Sequence, residues 1–177
     1  MIYYLAGGTK SGKSMLAQRI ARAMPGPHYY VATMRPADAE DDARIAKHLA
    51  DRAGWGFLTA EQPEHICGLL DCCDRDGAFL MDSVTALLTN EMFRADGTID
   101  LTAPARVERE LLQLAAGVKN IVIVSDFIFA DGVRYDELTE AFRAGLGHIG
   151  CAVAEIADGV AELCAGVPVW YKGGWME

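Results

Sequence analysis

Gly7-Gly8-Thr9-Lys10-Ser11-Gly12-Lys13-Ser14 fills every position of the pattern glycine, any four residues, glycine, lysine, serine or threonine. Its setting constrains the fold as strongly as its letters do. Ile2-Tyr3-Tyr4-Leu5-Ala6 before it reads as a short buried strand, and Met15 to Met24 after it reads as a helix. A strand, glycine loop and helix in this order wrap backbone N–H groups around an anion, and the helix N-terminus adds positive potential. Gly7, Gly8, Thr9, Lys10, Ser11, Gly12, Lys13 and Ser14 are therefore expected to cradle the phosphates of a nucleotide. Lys13 would reach the terminal phosphates, and the Ser14 hydroxyl would bind the Mg2+ that bridges them. A ligand-free glycine turn is the plain alternative, and a complete match in this context disfavours it.

A chain of 177 residues suits one domain over 1–177, with enough length to bury a core without disulfides. The net charge is −9, and the densest charge run, Asp38 to Asp42, is acidic. No basic stripe with interleaved aromatics exists, which argues against nucleic acid as a partner. Cys67, Cys72, Cys73, Cys151 and Cys164 are odd in number and show no C-x-x-C spacing, so neither a disulfide framework nor a metal site is indicated. Vicinal Cys72 and Cys73 are expected to pack as small apolar groups. No apolar run approaches the roughly 18 residues of a membrane span, and Met1 leads directly into the first strand. A cytoplasmic location is expected.

Strand-like and helix-like segments alternate along the chain, which predicts an α/β fold with a mostly parallel central sheet flanked by helices. Strands are expected at His28 to Thr33, Gly56 to Ala60, Ala78 to Asp82, Asn120 to Val124, Val160 to Cys164 and Val167 to Tyr171. Helices are expected at Pro36 to Arg52, Pro63 to Cys72, Val84 to Phe93 and Pro104 to Ala116. Arg94 to Thr102 reads as a loop turning at Ala95-Asp96-Gly97. Tyr135 to Ala157 has helical periodicity, with Gly145, Gly147 and Gly150 marking a kink or break.

Ligands of open parallel sheets bind beyond the carboxyl ends of the strands. Asp82 ends an apolar strand, where the acid that holds phosphate-loop magnesium belongs. Its alternative role is to cap the helix that follows. Asp126 closes the next apolar strand, and cap or turn and active site are equally open to it. His48 lies among Arg44, Lys47 and Arg52. By pattern alone that is a solvated basic face; the sharper reading is a nucleophile for the α-phosphorus of a nucleoside triphosphate. His28, His65 and His148 lack such company and read as surface or interface histidines.

Taken together these residues resemble the bifunctional adenosylcobinamide kinase / adenosylcobinamide-phosphate guanylyltransferase family. The loop is similar to that family's Gly-Gly-x-x-Ser-Gly-Lys-Ser, and Tyr30-Val31-Ala32-Thr33 to its second strand. Ala43-Arg44-Ile45 with His48 resembles its Ala-Arg-Ile-x-x-His helix, followed by Arg52, Trp55, Thr59 and Glu61. Asp82-Ser83-Val84-Thr85 with Thr89-Asn90 is similar to a further segment, and Phe142-Arg143, Ala157-Asp158, Gly166-Val167-Pro168 and Lys172 follow in order. The resemblance implies a P-loop NTPase fold of the RecA-like kind and a homotrimer. It implies GTP or ATP as substrate with Mg2+, and cobinamide as acceptor. Phosphorylation of adenosylcobinamide would be followed by transfer of GMP from GTP through a guanylated His48. By the same resemblance Glu61 and Asp82 join the nucleotide-binding residues.

The chain also departs from the family. Ser125-Asp126-Phe127-Ile128-Phe129 stands where Asn-Glu is usual after Ser or Thr, and an Asn-Gln pair is absent after Phe142-Arg143. Leu49 and Ala53 replace a usual Arg and Pro. These departures leave open a reduced activity or a changed acceptor. They also leave open a P-loop kinase of another small molecule and a catalytically reduced nucleotide-binding paralogue.

Overall fold

The computed structural model describes residues 1–35 and 54–175. The helix expected over Pro36 to Arg52, and His48 with it, lies outside the described residues. In chain order the elements are β1 (Ile2–Gly7), α1 (Lys13–Ala23), β2 (His28–Ala32) and β3 (Phe57–Glu61), then a 3-10 turn (Ile66–Gly68) running into α2 (Leu69–Cys72). There follow β4 (Ala78–Asp82), α3 (Val84–Met92), α4 (Ala103–Gly117), β5 (Asn120–Asp126), α5 (Glu137–Ile156), β6 (Gly159–Cys164) and β7 (Val167–Lys172). The strands form one sheet in the order β3-β2-β4-β5-β1-β6-β7. Every neighbouring pair is parallel except β6 with β7.

Parallel strands are covered on both faces, so their apolar runs are continuous and adjacent side chains serve opposite layers. Phe79 and Met81 of β4, with Ile121 and Ile123 of β5, pack toward α3, α4 and α5. Leu80, Val122, Val124 and Leu5 point the other way, onto Ala17 and Ile20 of α1. The strand expected to end at Val124 runs on to Asp126, which carries that carboxylate level with Gly7.

Three expectations are corrected. The helix predicted from Pro63 begins only at Ile66, because His65 adopts a left-handed conformation at φ 49°. Gln62 Nε2 donates to the Glu64 and His65 carbonyls instead, at 2.6 and 3.1 Å. The predicted break at the glycines of α5 is absent, and the helix runs 20 residues unbroken. Two of those glycines are sites of close approach: a Cβ at Gly145 would lie 2.7 Å from Pro104, and one at Gly150 would lie 2.8 Å from the Tyr4 hydroxyl. Of the vicinal cysteines, Cys73 packs on the core and Cys72 is exposed, so only Cys73 behaves as an apolar group.

A buried ion pair fastens α3 to α4. Glu91, with its side chain 4% exposed, accepts from Arg106 Nη2 at 2.8 Å and from the His65 N–H at 2.7 Å. Arg106 also pairs with Asp100 at 2.9 Å. Burial pushes the Glu91 carboxyl upward, but the His65 amide and the Arg106 guanidinium outweigh it and the net shift is downward. Replacing Arg106 by alanine is expected to destabilise the fold by about 2–3 kcal/mol, since it leaves a buried carboxylate without its cation. Urea unfolding at neutral pH measures this. A depressed carboxyl stabilises the fold fully above its unfolded pKa, and that contribution is lost as pH falls through the folded value. The gap between the two proteins is therefore expected to narrow toward about pH 4.

Candidate active site

Gly7 ends β1 in the middle of the sheet, where no side chain fits. A Cβ there would lie 2.7 Å from the Leu163 carbonyl oxygen and 2.8 Å from Ser11 Oγ. Gly12, at φ 97°, supplies the left-handed residue that turns the loop into α1. Gly8, Thr9 and Lys10 are exposed at the tip, with Lys10 at φ 59°. Ser11 Oγ is buried and has no hydrogen-bond partner among the described residues.

Lys13 is 7% exposed and turned back onto its own loop. Its ammonium donates to the Gly7 carbonyl at 2.9 Å and the Gly8 carbonyl at 2.7 Å, and lies 3.0 Å from Asp126 Oδ1. Three acceptors match its three protons. Asp126 is thus in the site. The next helix, α5, is capped by Asp136, whose carboxylate accepts from the Leu138 and Thr139 amides.

The second centre joins Ser14 and Asp82. The Ser14 hydroxyl donates to Asp82 Oδ2 at 2.8 Å, and Tyr30 Oη donates to the same oxygen at 3.4 Å. The capping alternative for Asp82 fails, because Ser83 caps α3 by accepting from the Ala86 amide at 3.3 Å. Thr33 holds this corner through Ser83, accepting from its amide at 2.7 Å and donating to its carbonyl at 2.8 Å. The Asp82–Ser83 peptide is cis. Asn90 Nδ2 donates to the Thr33 carbonyl at 2.7 Å, and the Thr85 hydroxyl accepts from the Asp126 amide at 3.0 Å. The first turn of α3 therefore ties down both acidic strand ends. These anchoring roles of Tyr30, Thr33, Thr85 and Asn90 carry no local signal, because each joins residues distant in sequence.

Glu61 is not brought to this pair. It is exposed at the end of the edge strand β3, and register places Ala32 between it and Asp82. At ordinary strand spacing that is roughly 10 Å. His48 lies outside the described residues. Lys13, Ser14, Asp82 and Asp126 are the functional side chains the structure unites, two cationic or hydroxyl groups facing two acids. The oxygen donors of Ser14 and Asp82 are the hard ligands that Mg2+ prefers, so the residues present fit that ion.

Residues 3–170 match a family model described as cobinamide kinase / cobinamide phosphate guanyltransferase (CobU). The chain is 33% identical over 175 residues to the bifunctional adenosylcobalamin biosynthesis protein CobP of Pseudomonas aeruginosa, covering 96% of each chain. In backbone it is similar to an ATPase from the type III secretion system of pathogenic bacteria, at TM-score 0.53 and 16% identity. That likeness takes in 92% of this chain and 52% of the other, so the chain spans about half the length of that solved structure. At such identity it shows the fold alone, that of a P-loop NTPase.

Proposed function

We propose that this chain, which belongs to the cobinamide kinase / cobinamide phosphate guanyltransferase family, carries out both of that family's reactions at its one phosphate loop. It phosphorylates adenosylcobinamide and then transfers GMP from GTP to the resulting phosphate, in cobalamin biosynthesis. The observation that carries this is the meeting of Lys13, Ser14, Asp82 and Asp126 at neighbouring strand ends of a chain that matches the family almost throughout.

In the kinase step the acceptor hydroxyl attacks the γ-phosphorus of the donor, GTP or ATP, and the nucleoside diphosphate leaves. Lys13 exchanges its loop carbonyls for phosphate oxygens, and the loop amides hold the chain of phosphates in line. Ser14 and Asp82 would hold Mg2+, which supplies charge neutralisation between the phosphates when bound. In the second step a His48 ring nitrogen attacks the α-phosphorus of GTP, and the bond to pyrophosphate breaks. An oxygen of the cobinamide phosphate then attacks the same phosphorus, releasing His48 and forming a diphosphate bridge. Glu61 is a further nucleotide contact in this scheme. The enzyme acts as one domain over 1–177, without nucleic acid and in the cytoplasm, and as a homotrimer.

The test uses GTP labelled at α or γ, with Mg2+ and adenosylcobinamide. The γ label is expected on the acceptor, and the α label first on the protein and then on the acceptor. Protein-bound α label should be lost in acid and kept in base, as for a phosphorus–nitrogen bond. Transfer of γ label with no α label on protein or acceptor would reduce the activity to that of a kinase, and no turnover of either label would leave only nucleotide binding.

A further inference from the structure

The two reactions occupy Lys13, Ser14 and Asp82 and leave Asp126, the fourth group of the site, without a task. We infer that Asp126 is the general base of the kinase step, taking the proton of the acceptor hydroxyl as that oxygen attacks the γ-phosphorus. This inference rests on the kinase reading of the site and names the residue that receives the proton.

Position comes first. Asp126 Oδ1 lies 3.0 Å from Lys13 Nζ, the atom proposed to meet the terminal phosphates. A hydroxyl aligned on a phosphorus held by that ammonium has this carboxylate as its neighbour, within the reach that general-base transfer needs. The Asp126 side chain is 34% exposed, and among the described residues its carboxylate pairs with Lys13 alone. Its backbone is held from both sides. The Asp126 N–H donates to Thr85 Oγ1 at 3.0 Å, and the Phe127 N–H donates to the Gly7 carbonyl at 2.8 Å. The acid is thus open to a ligand and fixed against the loop. Other acids at this end are engaged elsewhere. Asp82 accepts from the Ser14 and Tyr30 hydroxyls and stands level with Val124, roughly 7 Å short of Asp126 along the strands. Asp131 pairs with Arg143 at 3.1 Å and accepts from Tyr135 Oη at 2.7 Å, and Glu162 accepts from the Tyr171 hydroxyl at 3.0 Å.

An aspartate suits this step, because in phosphoryl transfer a carboxylate can accept the hydroxyl proton of the acceptor. The acceptor O–H bond breaks and its oxygen joins the γ-phosphorus. The bond from that phosphorus to the bridging oxygen breaks, the nucleoside diphosphate leaves, and the proton rests on Asp126 before it passes to water. GMP transfer makes no such demand. Its attacking atoms are a His48 ring nitrogen and an oxygen of the cobinamide phosphate, and neither has a hydroxyl proton to give up.

The experiment compares the full chain with Asp126→Asn and Asp126→Glu. Asparagine keeps the size of the side chain and an oxygen for Lys13 but cannot take the proton. With γ-labelled GTP, Mg2+ and adenosylcobinamide, the kcat of the asparagine variant for γ transfer is expected to fall about 10²- to 10⁴-fold. Its KM for GTP and its calorimetric affinity for inorganic tripolyphosphate should each stay within about threefold, and its α transfer to supplied adenosylcobinamide phosphate within about tenfold. Asp126→Glu, which restores a carboxylate, should recover part of the γ transfer. An asparagine variant that keeps γ transfer within about tenfold of normal removes Asp126 as the base. Equal loss of γ transfer, α transfer and tripolyphosphate affinity would overturn the inference in a different way, leaving Asp126 as a support for Lys13. An unsubstituted chain that moves no γ label removes the kinase reading itself, and the base with it.

Discussion

A His48→Ala enzyme is expected to lose GMP transfer by about 10⁴-fold while still phosphorylating its acceptor. Removing a covalent nucleophile closes the two-step route, and losses of this order or larger follow when such a residue is deleted. The kinase reaction needs no protein nucleophile, because the acceptor hydroxyl attacks the γ-phosphorus itself. Arg44, Lys47 and Arg52 surround His48 in the sequence. In the proposed scheme these cations would stabilise the phosphate that the ring receives. Separate γ-label and α-label assays on the one variant check both halves. Protein-bound α label surviving in His48→Ala would remove His48 from the role, and a matching collapse of γ transfer would show a damaged fold instead of a missing nucleophile.

The parts of this site that were legible in the sequence are those made by adjacent residues. The loop from Gly7 to Ser14 needs only its own strand and helix to take shape, and the structure sets Lys13 on the Gly7 and Gly8 carbonyls and Ser14 against Asp82. Asp82 was legible as an acid closing an apolar run. Its choice between cap and ligand was not, because that turns on Ser83, one residue away, taking the capping bond. Asp126 reads evenly between roles in the sequence, and β5, running level with Gly7, brings it to Lys13. Glu61 closes β3, and the strand order, which no local pattern gives, sets it at the sheet edge two strands from Asp82. The glycines of α5 misled for a related reason. Taken singly each weakens a helix, but here Gly145 admits Pro104 and Gly150 admits Tyr4 from another element, and burial of those contacts outweighs the propensity. The turn at Gly166 that seats β7 on the loop joins residues more than a hundred positions apart, beyond any local pattern.

Alanine at Lys13 should fail in both reactions, with kinase and GMP transfer each falling about 10³-fold. Lys13 is 7% exposed and held by the Gly7 and Gly8 carbonyls and by Asp126, on the loop proposed to take the phosphates. Arginine is not expected to rescue either reaction. Its flat, forked guanidinium cannot reproduce the three-way grip of a compact ammonium in so closed a slot. Stability should change little by comparison, because the Asp126 partner is 34% exposed and its ion pair is screened. Steady-state rates for each half-reaction, beside an unfolding curve, separate lost chemistry from lost fold. The two variants also test each other. His48→Ala divides the reactions and Lys13→Ala unites them only if one loop holds the nucleotide for both attacks, with the γ-phosphorus exposed to the acceptor in one and the α-phosphorus to His48 in the other. GMP transfer that stays within tenfold of normal in Lys13→Ala would move the α-phosphorus chemistry off this loop and require a second triphosphate site elsewhere on the chain.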